Sequence, residues 1–267
     1  MNPAAFVRRN TAITAPPLVP EIRLHLATEI TPIWRATEET LARSALPPPF
    51  WAFAWAGGQA LARYLLDHPA GVAGHSVLDF GAGSGLVAIA AAKAGAAAVL
   101  AAEIDPFSAA AITANAELNG VAIAVTTDDL LDTIDACWDV VTAGDVCYER
   151  PMADRVTGWL RGLAAHGSLV LLGDPGRAYV PGQDLVERAR YLVPTSRELE
   201  DRDCRETVIW QVLPGYEVIW PRPGTSLRGP DLPYNVLPRA ASRPHWLALH
   251  APRDHLPLAP QQRGSAL

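Results

Sequence analysis

Ser76-Val-Leu-Asp79-Phe-Gly81-Ala-Gly83-Ser-Gly85-Leu86 decides how this chain is read. A short apolar run ends in a carboxylate, glycines alternate at 81, 83 and 85, and Val87-Ala-Ile-Ala-Ala-Ala-Lys93 continues in helix formers. That order is strand, tight turn, helix. Glycine reaches backbone angles closed to other residues and lets a ligand approach the main chain, and the first N–H groups of the helix stand free beside the turn. Such a turn serves two classes of nucleotide-derived ligand, or none if it is purely structural. A dinucleotide fingerprint has the spacing G-x-G-x-x-G/A, and here Leu86 stands at its last position. Asp79, at the strand end, would repel a pyrophosphate but suits a cation such as S-adenosylmethionine, which carries an ammonium and a sulfonium.

Downstream, strand and helix signals alternate. Ala98–Glu103 reads as a second strand and Pro106–Asn119 as a helix opened by proline and closed near Gly120. Val121–Thr126 and Trp138–Gly144 read as further strands, Pro151–Leu163 as a helix and Ser168–Leu172 as an apolar strand. Asp184–Leu192 is expected as another helix and Thr207–Leu213 as a closing strand. Continuous apolar strands alternating with helices imply an α/β fold, a doubly wound, mostly parallel sheet covered on both faces.

Upstream, residues 1–19 hold prolines at 3, 16 and 17 without clear periodicity and are expected as a loose arm. Pro20–Thr28 alternates apolar and polar residues, leaving strand and short helix both open. Trp34–Leu46 predicts a helix stopped by Pro47-Pro-Pro49. Phe50, Trp51, Phe53 and Trp55 crowd in just before a predicted helix over Gln59–Asp67, as core filler, as an aromatic wall at a ligand site, or as both. After Leu213 the composition changes: residues 214–267 hold ten of the 24 prolines. They predict an irregular tail beyond a main domain over 20–213.

The 267 residues are 49% apolar and 19% charged, with a formal net charge of −6. An acidic balance argues against nucleic acid as partner. Cys137, Cys147 and Cys204 match no metal-ligand spacing, so no metal is expected, and a reducing compartment suits them better than a disulfide framework. No secretory signal opens the chain and no run approaches the roughly 20 apolar residues that span a bilayer. The expectation is a soluble cytoplasmic protein without membrane contact.

In a doubly wound sheet, ligands sit beyond the carboxyl ends of the strands, and the distinctive polar residues fall there. Asp79 closes the first strand. Glu103 closes the second, where an acid takes ribose hydroxyls. Asp128 and Asp129 follow the third, where an adenine amino group is received. Gly144-Asp-Val-Cys-Tyr-Glu149 follows the fourth, and Gly173-Asp-Pro-Gly-Arg177 the fifth. Each alone reads equally as a solvated acid or a helix cap; five in strand order point to a nucleoside-type ligand.

With these residues together, the chain resembles the class I, seven-stranded methyltransferases that use S-adenosylmethionine, through Gly81–Gly85, Glu103-Ile-Asp-Pro106 and Asp145-Val-Cys-Tyr148. Pro49-Phe-Trp51, Trp55-Ala-Gly-Gly-Gln59 and Gly173–Arg177 resemble, more narrowly, the electron transfer flavoprotein beta subunit lysine methyltransferase family, from about Pro20 to Leu213. Cys147 stands where that family often has an aromatic residue, and Ala56 where it often has proline. The resemblance implies cofactor contacts from Trp55, Asp79, Gly81, Gly83, Gly85, Glu103, Ile104, Asp128 and Asp129. It further implies catalytic roles for Asp145 and Tyr148, a substrate channel with Trp51, Asp174 and Arg177, and the flavoprotein beta subunit as protein substrate. Alternatives are methylation of a ribosomal protein or a small amine, an NAD-dependent oxidoreductase, and a binding protein without turnover.

Overall fold

The computed structural model describes residues 2–28, 48–131, 133 and 138–215. The helix expected over Trp34–Leu46 and all but the start of the proline-rich tail lie outside these residues.

The chain begins with α1 (Pro3–Asn10), capped by Asn2, whose Oδ1 accepts from Ala5 N at 3.1 Å. Then β1 (Ala12–Thr14) pairs antiparallel with β2 (Leu24–Leu26). Residues 2–19 are therefore not a loose arm. Val7 is fully buried, and Phe6 meets Phe107 edge-on with ring centroids 5.1 Å apart. Elements this short are marginal alone, and apolar contacts with the body hold them.

After a 3-10 turn over Phe50–Ala52 and helix α2 (Ala56–Asp67), β3 (Ser76–Phe80) is buried along its whole length. Helix α3 (Leu86–Lys93), β4 (Ala98–Ala102), helix α4 (Pro106–Asn119) and β5 (Ala124–Thr126) follow. Asp105 opens α4 by accepting from Phe107 N at 2.8 Å, and Gly120, at φ 65°, closes it. Next come β6 (Val140–Gly144), α5 (Arg150–Ala165) and β7 (Leu169–Asp174). The chain ends in β8 (Leu185–Pro194), the short helix α6 (Arg197–Glu200) and β9 (Cys204–Val212).

The main sheet has seven strands in the order β5-β4-β3-β6-β7-β9-β8. β5, β4, β3, β6 and β7 are parallel, while β9 pairs antiparallel with both β7 and β8. Alternate residues feed two cores, as the two-residue strand repeat requires. Val77, Val140 and Leu171 pack under α2 and α3 with Leu61, Leu65 and Val87. Leu78, Val141, Val170 and Leu172 pack under α5 with Val156, Trp159, Leu160 and Leu163. Each such buried side chain contributes about 1.5–3 kcal/mol.

One element differs in kind from its expectation. Asp184–Leu192 reads as a helix, but residues 185–194 form the edge strand β8. Ala189, Tyr191 and Val193 turn inward at two-residue intervals against the α2-side core. A register shift between Glu187 and Ala189 breaks the phase and hides the alternation. Pairing with β9 overrides the helix preference of Glu187-Arg-Ala-Arg190, and those exposed charges suit a sheet edge.

Candidate active site

From β3 the chain winds outward through β4 to β5, then returns to the other side of β3 as β6. The carboxyl ends of β3 and β6 thus flank the point where the winding reverses, where open α/β sheets hold ligands. A cleft of ≈ 380 Å³, partly open to solvent, lies there. Phe53, Ala54, Trp55, Gly58, Asp79, Gly81–Ser84, Leu86, Val87, Gly144 and Asp145 line it. None of these is basic.

Asp79 is 1% exposed on the floor of the cleft. Its Oδ1 accepts from the Thr142 hydroxyl at 3.0 Å and its Oδ2 from Ala88 N at 3.0 Å. Burial pushes its carboxyl up to about 7, against those two hydrogen bonds and with a further push from Glu103. Glu103 leaves the end of β4 and turns toward the glycine turn, where Oε2 accepts from Gly83 N at 3.0 Å. Burial raises its pKa too. Gly81, Gly83 and Gly85 all have positive φ, as an alternating glycine turn requires. Gly85 does not line the cleft; it starts α3, and a Cβ on it would come within 3.1 Å of Ile112.

Asp145 follows β6 in the left-handed region, at φ 58°. Its Oδ2 accepts from Gly58 N at 3.0 Å, at the start of α2, and its Oδ1 from Arg177 Nη2 at 2.8 Å. Burial lifts the Asp145 carboxyl above its usual range while the Arg177 charge opposes the shift. A Cβ on Gly57 would lie 2.3 Å from the Gly173 carbonyl oxygen and 2.5 Å from Asp145 Oδ2. That contact explains one glycine of the Trp-x-Gly-Gly-Gln motif. Gln59 explains another position: its Nε2 donates to Ala54 O at 2.7 Å and its Oε1 accepts from Leu18 N at 3.3 Å. It thereby ties the aromatic segment to the amino-terminal segment.

Arg177 and Asp174 adjoin Asp145. Asp174 Oδ1 accepts from Gly176 N at 2.7 Å and Arg177 N at 2.6 Å, shaping the turn after β7. Its Oδ2 is buried without a partner, and burial raises the group to about 6. The Arg177 guanidinium sits 5.9 Å from the Trp55 ring centroid. Cys147 is fully buried, its thiol pushed to about 12 by burial and by Asp174 and Asp145, so it fills space rather than reacts.

The aromatic wall is divided by the 3-10 turn. Trp51 points inward, 2% exposed, and clusters with Val7, Ala27, Ala52 and Ala111. It is core and does not line the described cleft. Phe50 points outward, half exposed, and meets Trp55 and Tyr148 at centroid distances of 6.1 and 6.0 Å. Phe50 and Phe53 are the aromatic residues that sequence reasoning left unassigned. Tyr148 is half exposed, and Ile104 more so. Asp128 and Asp129 are exposed beyond β5, accepting from Thr126 Oγ1 at 2.7 Å and Leu131 N at 3.0 Å, and line none of the described cleft.

Glu200 carries no signal in the sequence. It lies in the charged run Arg197–Asp203, which looks like a solvated surface, yet it is 3% exposed and accepts from both terminal nitrogens of Arg177 at 3.0 and 2.8 Å.

The site fits a cationic nucleoside ligand. Two buried carboxylates, Asp79 and Asp145, face one space beside a turn that presents bare main chain.

The family model for ribosomal protein L11 methyltransferase (PrmA) matches residues 61–146. The electron transfer flavoprotein beta subunit lysine methyltransferase of Mus musculus is 39% identical over 217 residues, covering 79% of this chain and 84% of its own length. Its namesake in Xenopus laevis is 37% identical over 218 residues, covering 79% and 87%. That of Danio rerio is 38% identical over 213 residues, covering 77% and 81%.

Proposed function

Since this chain belongs to the electron transfer flavoprotein beta subunit lysine methyltransferase family, we infer that it methylates lysine side chains of that flavoprotein subunit, with S-adenosylmethionine as donor. When bound, S-adenosylmethionine supplies a methyl group already activated on a sulfonium. Asp79, the main chain of Gly81–Ser84 and Glu103 are the groups that would hold it.

The chain's own residues must then bring an uncharged amine into line and keep water away. A lysine of unperturbed pKa near 10.4 is neutral in only about one molecule in 2,500 at pH 7. Asp145 draws the ammonium in, and its burial-raised pKa suits it to help the proton leave. Phe50, Trp55 and Tyr148 form an apolar approach that favours the neutral amine once it has entered. The observation that carries this reading is the convergence of Asp79 and Asp145 on one cleft beside Trp55.

A ribosomal protein substrate is favoured by partial matches, the family model over residues 61–146 among them. That span takes in the glycine turn and Asp79, but not Gly173–Arg177. The flavoprotein relatives cover most of the chain, and that breadth supports the flavoprotein as substrate.

Incubating the purified protein with S-adenosylmethionine and the flavoprotein beta subunit should add methyl mass to lysine-bearing peptides. Asp145→Asn should lower kcat about a hundredfold or more with S-adenosylhomocysteine affinity retained. A methylated ribosomal protein with an untouched flavoprotein would overturn the substrate, and a fully active Asp145→Asn enzyme would overturn the role of Asp145.

A further inference from the structure

Glu200 ends α6, the four-residue helix in the connection between the two antiparallel strands. Its neighbour Asp201 adopts φ 58°, stopping the helix at that point. The side chain runs inward rather than to solvent and meets two arginines. Arg177 Nη1 donates to Oε2 at 3.0 Å and Arg177 Nη2 to Oε1 at 2.8 Å. Arg205 Nε approaches Oε2 at 3.3 Å from the start of β9. Arg177 Nη2 is also the group that donates to Asp145 Oδ1 at 2.8 Å. Charges therefore alternate along a line of buried carboxylates and partly buried arginines: Asp145, Arg177, Glu200, Arg205.

The geometry points to Glu200 as a positioning residue of the methyl-transfer site, fixing Arg177 so that Arg177 in turn fixes the Asp145 carboxylate. This rests on the reading of Asp145 as the group that receives the substrate amine. A planar guanidinium gripped in two-point fashion by one carboxylate has little freedom left, so the N–H it offers Asp145 is held in direction. Glu200 also shares the Arg177 charge. An arginine committed to Asp145 alone would cancel that carboxylate's pull on an incoming ammonium; one shared with Glu200 leaves part of it. The last two strands thereby acquire a part in the chemistry, by delivering a carboxylate behind the site from the far edge of the sheet.

The test uses the full chain, S-adenosylmethionine and the flavoprotein beta subunit. Glu200→Gln should keep S-adenosylhomocysteine affinity and a cooperative thermal transition while lowering kcat about ten- to a hundredfold. The acid limb of its kcat/KM profile should move to lower pH, because the negative charge of Glu200 holds the Asp145 pKa up. Glu200→Asp keeps the charge with a shorter reach; it should restore the limb and recover only part of kcat. In an Asp145→Asn background, Glu200→Gln should cost almost nothing further. A cost equal in both backgrounds, or an unmoved acid limb, would overturn the role of Glu200 while leaving Asp145 standing. An Asp145→Asn enzyme as fast as wild type would instead overturn the reading of Asp145 on which this role depends.

Discussion

Asp79 shows how one side chain couples the fold to ligand charge. Burial holds its carboxyl at about 7, so near neutrality the ligand-free protein carries it partly protonated. Its folded-state pKa lies above the ordinary 3.8. The folded protein therefore binds the extra proton between these values, and this group's share of stability declines as pH rises from about 4 to about 7. A cation against Asp79 reverses the preference, because it favours the carboxylate. S-adenosylmethionine affinity should therefore increase with pH up to about 7 and then level off. Calorimetry near pH 6, in two buffers of different ionisation enthalpy, should detect proton release on binding. Asp79→Asn should weaken binding and abolish that release, and an unchanged pH dependence in the variant would place the titrating group elsewhere. Asp79 and Asp145 are legible in the sequence because each ends an apolar strand run. The choice between Phe50 and Trp51 is not, since a turn of three residues per repeat can face either ring inward and only the pocket around Val7 selects Trp51.

At the scale of elements, the start of α2 is pressed against the ends of β6 and β7. Gly57 and Gly173 approach so closely that a Cβ on Gly57 would strike a backbone carbonyl, which cannot rotate away as a side chain can. Gly58, one position on, has no atom within 4 Å of a Cβ placed there. Gly57→Ala should thus lower stability by roughly 1–3 kcal/mol through overpacking and slow catalysis by displacing Asp145. Gly58→Ala should be neutral or stabilising by up to about 1 kcal/mol in a helical position. Thermal unfolding of the two variants reads the contrast, and equal losses would contradict it. Strands flanked by helices on both faces, from β3 to β7, announce themselves as apolar runs. β8 does not: it lies at the edge, exposes Val186 and Leu192, carries charge and contains a register shift. Glu200 has no local signature either, because its burial is created by arginines 23 residues before it and five after it.

At the scale of the whole molecule, the amino-terminal segment is a buttress for the active site. Val7 and Ala27 pack against Trp51 and Ala52, and Ala27 N donates to Ala52 O at 2.8 Å. Just beyond them, Phe53 and Trp55 line the cleft. The same segment grips α4, where His25 N donates to Asn115 Oδ1 at 2.7 Å, and Asn115 Nδ2 donates to Ser84 O at 2.8 Å beneath the glycine turn. Both walls of the cofactor cleft thus lean on the segment 7–27, of which the sequence leaves the part before residue 20 looking like a loose arm. Removing residues 1–14 would expose Val7's partners, Trp51 included, and leave Leu24 and Leu26 without the strand β1. Burial of Val7 and Phe6 alone corresponds to about 2–4 kcal/mol after discounting for the partial exposure of Phe6. The truncated protein should unfold at a clearly lower temperature and bind S-adenosylhomocysteine several-fold more weakly, because Phe53 and Trp55 lose their backing and His25 loses the strand that pairs with it. If only stability fell while cofactor affinity held, the segment would support the fold without shaping the cleft. If neither changed, the contacts around Val7 would carry no weight in either.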